Sequence, residues 1–335
     1  MKRPMSISVK AQGSPSGSVG FSLGGLRGGT WLPLIVVLAL VVIFGIASPA
    51  FLGWRNFSAI TGEAATLLIA SLGGSFVILM GGIDLSVGAI VLLVGAVCVM
   101  LMQGHDYGLL ILLVGVVLGA MLGTANGFVS VVGRVPSFVT TLGSLSIFTG
   151  MALSILSGRA VTLESPALDT LAIGQLIPRL PNIALCALVL WLIAVGVEVW
   201  TKFGRFALLI GGGETVARMA GLPVGRYKIY GFTVSGMMAG IASVFAMARL
   251  GAVGPTLGQD LLLNTIAAIV VGGTSLAGGV GGVHRTFIGV AIIALLNNGL
   301  NLMGVGPYWQ MVIKGAVVIG AVLVAQDRLR GTIVK

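Results

Sequence analysis

The chain has 335 residues, of which 57% are hydrophobic and only 8% charged, and its mean hydropathy is +1.11. A water-soluble domain carries about 25% charged residues to solvate its surface, so a soluble globule of this size is excluded. The formal charge of +10 comes without any basic stripe interleaved with aromatics, so no nucleic-acid partner is expected.

Residues 1–30 are rich in Gly and Ser, carry Lys2, Arg3, Lys10 and Arg27, and lack apolar periodicity, which predicts a disordered cytoplasmic tail. The first apolar run starts only near Trp31, so it reads as a retained span and not as a cleaved leader. Spans are predicted at 31–51, 63–80, 85–102, 108–132, 138–157, 182–201, 229–249, 259–273, 286–303 and 308–326. Only helices and closed barrels satisfy the backbone in lipid, and these runs are too long and too uniformly apolar for barrel strands. The expected fold is therefore an all-α polytopic membrane protein with about ten transmembrane helices. Its transmembrane domain covers 31–326 and a cytoplasmic tail covers 327–335. Alternating from a cytoplasmic N-terminus places 14 of the 19 Lys and Arg inside, which puts both termini in the cytoplasm.

Two connections stand out. The outer one, 158–181, holds Glu164, Asp169, Pro166, Pro178 and Pro181; the inner one, 202–228, holds Lys202, Arg205, Glu214, Arg218, Arg226 and Lys228. Within the inner loop, Gly211 to Gly213 precede Glu214, an acid suited to a helix N-terminus, and Gly221 stands at a C-cap position. A short helix is predicted between them.

Chemistry-bearing residues are few. No Gly-Lys-Ser/Thr sequence is present to cradle phosphates, so the chain cannot hydrolyse ATP by a P-loop. His105 and His284 lack acidic or Cys partners at ligand spacing, which predicts no metal site, and Cys98 and Cys186 lie inside apolar runs. Asp84 and Ser86, in Gly-Gly-Ile-Asp-Leu-Ser-Val-Gly (81–88), read either as a helix cap or as a contact for substrate or gate. Gly-Gly-Thr-Ser-Leu-Ala-Gly-Gly (272–279), with Thr274 and Ser275, has the same Gly-Gly-x-x-Leu-small-x-Gly form. Interrupted apolar segments of this kind point to a translocation pathway. Gly115, Gly119, Gly123 and Gly127 form a ridge for helix packing. Asn297, Asn298 and Asn301 either bond across helices or line a wet cavity. Lys314 is expected to snorkel outward or to meet a helix C-terminus. Glu63, Glu198 and Asp260, near span ends, are expected to be interfacial, and no paired opposite charges are seen in the pathway.

Four segments together, 81–88, Leu-Ile-Gly-Gly-Gly-Glu-Thr-Val-Ala-Arg-Met-Ala-Gly-Leu (209–222), 272–279 and Leu-Leu-Asn-Asn-Gly-Leu-Asn-Leu (295–302), resemble the permease subunits of ribose-type ATP-binding cassette sugar importers. The resemblance covers roughly residues 30 to 326. It implies a vitamin B12-importer-type (type II) fold with related halves in spans 2–5 and 7–10, in the bacterial inner membrane. It also implies a second permease subunit (homodimer or heterodimer), a cytoplasmic ATPase that binds ATP and Mg, and a periplasmic sugar-binding protein. This chain, surrounded by membrane lipid, would itself hold no cofactor. By the same resemblance, residues 212–221 are a coupling helix that docks in an ATPase groove, with Glu214, Ala217 and Gly221 matching the family's Glu-x-x-Ala-x-x-x-Gly pattern. Gly212, Gly213 and Arg218 complete this coupling loop, and Arg218, beside Ala217, is available to acids on the partner. Gly213 departs from the family's common Gly-Gly-Asn-Glu, which removes a polar contact there. The implied function is import of a pentose, hexose or related polyol, with specificity residing mainly in the binding protein. The alternatives are a non-sugar cargo, such as a branched-chain amino acid or autoinducer-2, and an autonomous secondary transporter.

Overall fold

The computed structural model describes residues 31–333; the tail expected over 1–30, and residues 334–335, lie outside the described residues. In chain order the helices are α1 (Trp31–Ala47), α2 (Trp54–Leu79), α3 (Val87–Leu101), α4 (Leu110–Val132), α5 (Ser137–Leu156), α6 (Pro166–Ile173) and α7 (Asn182–Trp200). They continue with α8 (Lys202–Gly212), α9 (Glu214–Met219), α10 (Val224–Leu250), α11 (Leu261–Val271), α12 (Val283–Leu302) and α13 (Pro307–Ile333). Each predicted apolar run coincides with a helix. Six of them, α2, α4, α5, α7, α10 and α12, are long and apolar enough to cross a membrane, while α3 and α11 are shorter apolar helices. At 11 residues, α11 reaches only about 16 Å, half of a hydrocarbon core.

Helices α2 and α10 form the centre. Their most apolar stretches are 89% and 78% buried, against 33%, 28% and 22% for α4, α5 and α7, whose outer faces are left for lipid or a partner. The reason lies in composition: both central helices are rich in Gly, Ala and Ser, which let backbones approach closely where no hydrophobic force acts between helices. A Cβ added at Gly73 of α2 would fall 2.6 Å from the Cα of Ser235 on α10. The ridge of Gly115, Gly119, Gly123 and Gly127 on α4 lies against α10 in the same way. Cβ atoms at Gly119 and Gly123 would each fall 2.9 Å from a glycine Cα, of Gly240 and Gly236 respectively.

Several expectations need correction. Helix α2 begins at Trp54, nine residues before the predicted span, and α10 begins at Val224 instead of 229. Polar residues such as Arg55, Asn56 and Arg226 are tolerated in these end turns because they extend beyond the apolar stretch. The inner connection is not an open loop, since α8 occupies its first half, and its Ala207 and Ile210 are buried. In the 158–181 connection, β1 (Val161–Thr162) pairs antiparallel with β2 (Ala252–Val253), and α6 follows. Helix α13 runs on to Ile333, well into the span expected as a tail.

Candidate functional site

The segment 81–86 interrupts the helical path between α2 and α3, and in lipid its peptide groups need internal partners. Helix α5 supplies them: Ser137 Oγ accepts from Ile83 N at 3.1 Å, and Thr141 Oγ1 accepts from Leu85 N at 3.0 Å. Asp84 is buried and accepts hydrogen bonds from Ser86 N (2.9 Å), Ser86 Oγ (2.6 Å) and Ser235 Oγ of α10 (2.7 Å). Asn126 of α4 donates to Ser86 Oγ at 2.8 Å, and Ser144 of α5 donates to Asn126 Oδ1 at 2.5 Å. Asp84 and Ser86 therefore serve as a polar knot fastening α3, α4, α5 and α10. They line neither of the two cavities described next.

At the α9 end of the bundle, a cavity of about 320 Å³ is walled by the end of α2, the α4–α5 turn and the start of α10, with Gly82 on its lining. Arg134, Glu214, Arg218 and Lys228 bring charge to it. Glu214 accepts from Arg218 Nη2 at 2.7 Å and from Lys228 Nζ. Partial burial pushes the Glu214 carboxyl up, but hydrogen bonds and charge from Lys228 and Arg218 outweigh it and hold the group below the usual carboxylate range. Arg218 is thus paired within the chain to Glu214, although its side chain remains largely exposed. Helix α9 ends as the glycine pattern predicts: Gly221 sits at φ +80°, donating to Arg218 O at 3.0 Å while Leu222 N donates to Ala217 O at 3.1 Å. Ala217 is buried against the bundle, whereas Val216 and Met219 are 66% and 76% exposed, an apolar pair turned away from it. Gly212 and Gly213 have room for a side chain; Gly211 does not.

Gly211 belongs to a junction that sequence reading missed. The two Gly-Gly-x-x-Leu motifs meet there: a Cβ at Gly278 would fall 2.7 Å from Gly81 N and 3.1 Å from Gly211 Cα, and Gly279 N donates to Leu79 O at 2.9 Å. The end of α2, the α8–α9 hinge and the loop after α11 are therefore in backbone contact, and α9 is backed by both halves of the fold. In that loop, buried Thr274 bonds within the turn, its Oγ1 accepting from Gly282 N at 3.3 Å, and Ser275 Oγ accepts from Ala277 N at 3.2 Å. Neither lines the cavity beside Glu214 or the one lined by Asn297. Nearby, Glu198 of α7 is buried, and accepts from His284 N at 3.1 Å at the start of α12, with His284 Nδ1 at 3.2 Å. Glu198, expected to be interfacial, is thus buried near the end of α7 and tied to the start of α12.

The second cavity, about 650 Å³, lies at the opposite end, among α2, α10, α11, α12, α13 and the segment 254–260. Backbone of that segment touches the start of α3 where Gly258 meets Gly88. Asn297 and Asn301 line this cavity, while Asn298 does not, being engaged in reciprocal bonds of 2.8 and 2.9 Å with Asn56. Glu63, Arg249, Asp260 and Lys314 line it as well. Opposite charges are therefore gathered around one cavity, contrary to the sequence expectation. Lys314 is only 8% exposed and turned inward, so it does not snorkel. No signal in the sequence joined these four residues, which come from distant parts of the chain.

Residues 56–322 match the model of the family described as "Branched-chain amino acid transport system / permease component". The chain is a member of this permease family. It is 35% identical over 295 residues to the ribose import permease protein of Escherichia coli K12, covering 87% of this chain and 92% of that one. It is 38% identical over 302 residues to the ribose import permease protein of Bacillus subtilis 168 (88% and 92% covered). It is 36% identical over 328 residues to the D-allose transport system permease protein of E. coli K12 (96% and 97% covered). No solved structure matches the chain. Membership in this family, with six helices able to span, makes it a multi-pass inner-membrane protein.

Proposed function

We propose that this chain is the transmembrane permease subunit of an ATP-binding cassette importer for a monosaccharide or related polyol. It works as a dimer of permeases with a cytoplasmic ATPase, which binds ATP and Mg, and a periplasmic binding protein. In this reading ten helices span the membrane in the B12-importer arrangement, both termini are cytoplasmic, and the α9 end faces the cytoplasm. The observation that carries the reading is α9 itself. A six-residue helix presents Val216 and Met219 outward, while its base rests on the glycine junction joining α2, α8 and the loop after α11. An apolar knob backed by close backbone contact transmits a push; a solvated loop would absorb it. Support for sugar comes from the relatives, whose names specify ribose and allose. ATP-driven closure of the partner would move α9, and alternating access would follow from exposing first the cavity lined by Asn297 and Asn301, then the one beside Glu214.

Met219→Glu and Glu214→Lys are expected to insert. Met219→Glu should keep the wild-type melting temperature in detergent because Met219 is exposed, whereas Glu214→Lys loses its pairs with Arg218 and Lys228 and should melt slightly lower. Copurification of the ATPase should fall, and ATP-dependent uptake in proteoliposomes containing ATPase and binding protein should drop at least about tenfold, equivalent to about 1.4 kcal/mol of lost coupling. Uptake at the wild-type rate in both variants would remove α9 from the coupling path. A second reading, an amino-acid cargo, gains one observation: Glu63 and Asp260 face Arg249 and Lys314 across one cavity, a charge set that a zwitterion could use.

A further inference from the structure

We infer that the cavity of about 650 Å³ is a substrate-binding site of the permease itself, built for the hydroxyls of a neutral sugar or polyol, so that this subunit takes part in selecting its cargo. The inference rests on the import reading above and adds a site to it. Its size falls within the roughly 300–1,000 Å³ of small-molecule sites. Its wall holds four polar side chains that are at least nine-tenths buried: Thr66 (4% exposed), Asn297 (5%), Asn264 (7%) and Lys314 (8%). Buried polar groups are ordinarily paired, and an unpaired one is costly. Here the side chains of Asn264 and Lys314 have no hydrogen-bond or ion-pair partner among the described residues, and unlike Thr66 Oγ1 and Asn297 Oδ1, which are unpartnered but sealed, their polar atoms stay open to the space. Asn297 Nδ2 reaches Glu63 Oε1 only at 3.5 Å.

The unpaired set open to the space comprises the Asn264 amide, which both donates and accepts, and the Lys314 ammonium donor. Vicinal hydroxyls, which both donate and accept, answer such a set. The charges decide between cargo classes. The lining carries two acids and two bases, so no net charge calls for an ionic ligand. Asp260 is exposed and Glu63 half-buried, so water competes with a ligand ammonium at either acid, and Lys314 is the one deeply buried charge in the wall.

The test uses the full-length permease in right-side-out vesicles. Asn301→Cys in a Cys186→Ala background is labelled with a membrane-impermeant thiosulfonate, with D-ribose, D-allose, D-xylose, D-galactose or myo-inositol present at tens of millimolar. At least one of these is expected to slow labelling severalfold, while L-leucine and D-gluconate do not. Lys314→Met and Asn264→Leu should each weaken that protection about tenfold or more, the size of one lost charge-assisted or buried hydrogen bond. Lys314→Arg should retain most of it, which separates loss of the donor from loss of the fold. Absence of protection by every sugar, equal protection by leucine or gluconate, unchanged protection in both variants, or no labelling from the outside would each overturn the site. Coupled uptake by the wild-type importer with its ATPase and binding protein is measured separately. Uptake without protection removes this site and leaves the import reading; protection without ATP-dependent uptake does the reverse.

Discussion

Gly123→Leu should disrupt the helical bundle as a whole, lowering its thermal midpoint in detergent by roughly 6–12 °C. The position lies on α4 where it crosses α10, and the atoms facing it are backbone: a Cβ there would fall 2.9 Å from both Gly236 Cα and Gly236 N. A flexible side chain could move aside, but backbone of the central helix cannot without parting from α2 and α3 as well. Overpacking a core costs about 1–3 kcal/mol even when side chains can adjust. With a helix backbone as the obstacle, and close packing the main force between helices in lipid, about 3 kcal/mol or more is expected. That is a large share of a total stability of roughly 5–15 kcal/mol, and at about 2–4 °C per kcal/mol it gives the stated shift. Gly143→Leu on α5 is the control, because a Cβ there meets nothing within 4 Å. An equal midpoint for the two variants would show that the α4–α10 crossing is not a main source of stability.

Gly279→Ala is expected to leave a folded protein that no longer imports, with uptake below about a tenth of wild type, a loss of at least about 1.4 kcal/mol in coupling. Gly279 sits at φ +70°, where a side chain costs roughly 1–2 kcal/mol. Its new methyl would also press on the backbone of Gly212 at the α8–α9 hinge. The hydrogen bond from Gly279 N to Leu79 O, 2.9 Å long, lies in the same junction. Relief of the overlap must push the hinge away, and α9 is carried on that hinge. Gly306→Ala, with no atom within 4 Å of its Cβ, should transport normally. The assay is ATP-dependent uptake beside ATPase copurification. Wild-type uptake in Gly279→Ala would mean that the junction fills space without relaying motion.

Much of the helical layout was legible. Apolar runs become helices because lipid leaves the backbone no other partner, and α11 was readable as short from where glycine breaks the run. Helix α9 was legible as well: Glu214 at its start and Gly221 at φ +80° past its end are local devices whose effect does not depend on distant chain. Helix α8 was less so, because a stretch with Lys202, Arg205 and paired glycines has no strong local signal. It is helical because Ala207 and Ile210 bury one face against the bundle.

The sequence by itself determined that this is a helical membrane protein with no P-loop sequence, and roughly where its apolar helices lie. Tertiary structure alone decided which polar residues share a space. Asp84 and Asn297 look alike in sequence, each a polar residue near an apolar run, yet Asp84 is closed into a knot with Ser86 and Ser235 while Asn297 opens on a cavity. Glu63, Arg249, Asp260 and Lys314 likewise come together only because α2, α10, α11 and α13 converge at one end. The physical reason is that hydropathy is a property of each residue and its near neighbours, whereas a cavity is set by how helices from distant parts of the chain cross. Those crossings depend on where glycine allows backbone to touch backbone, a pairing that neither helix records alone.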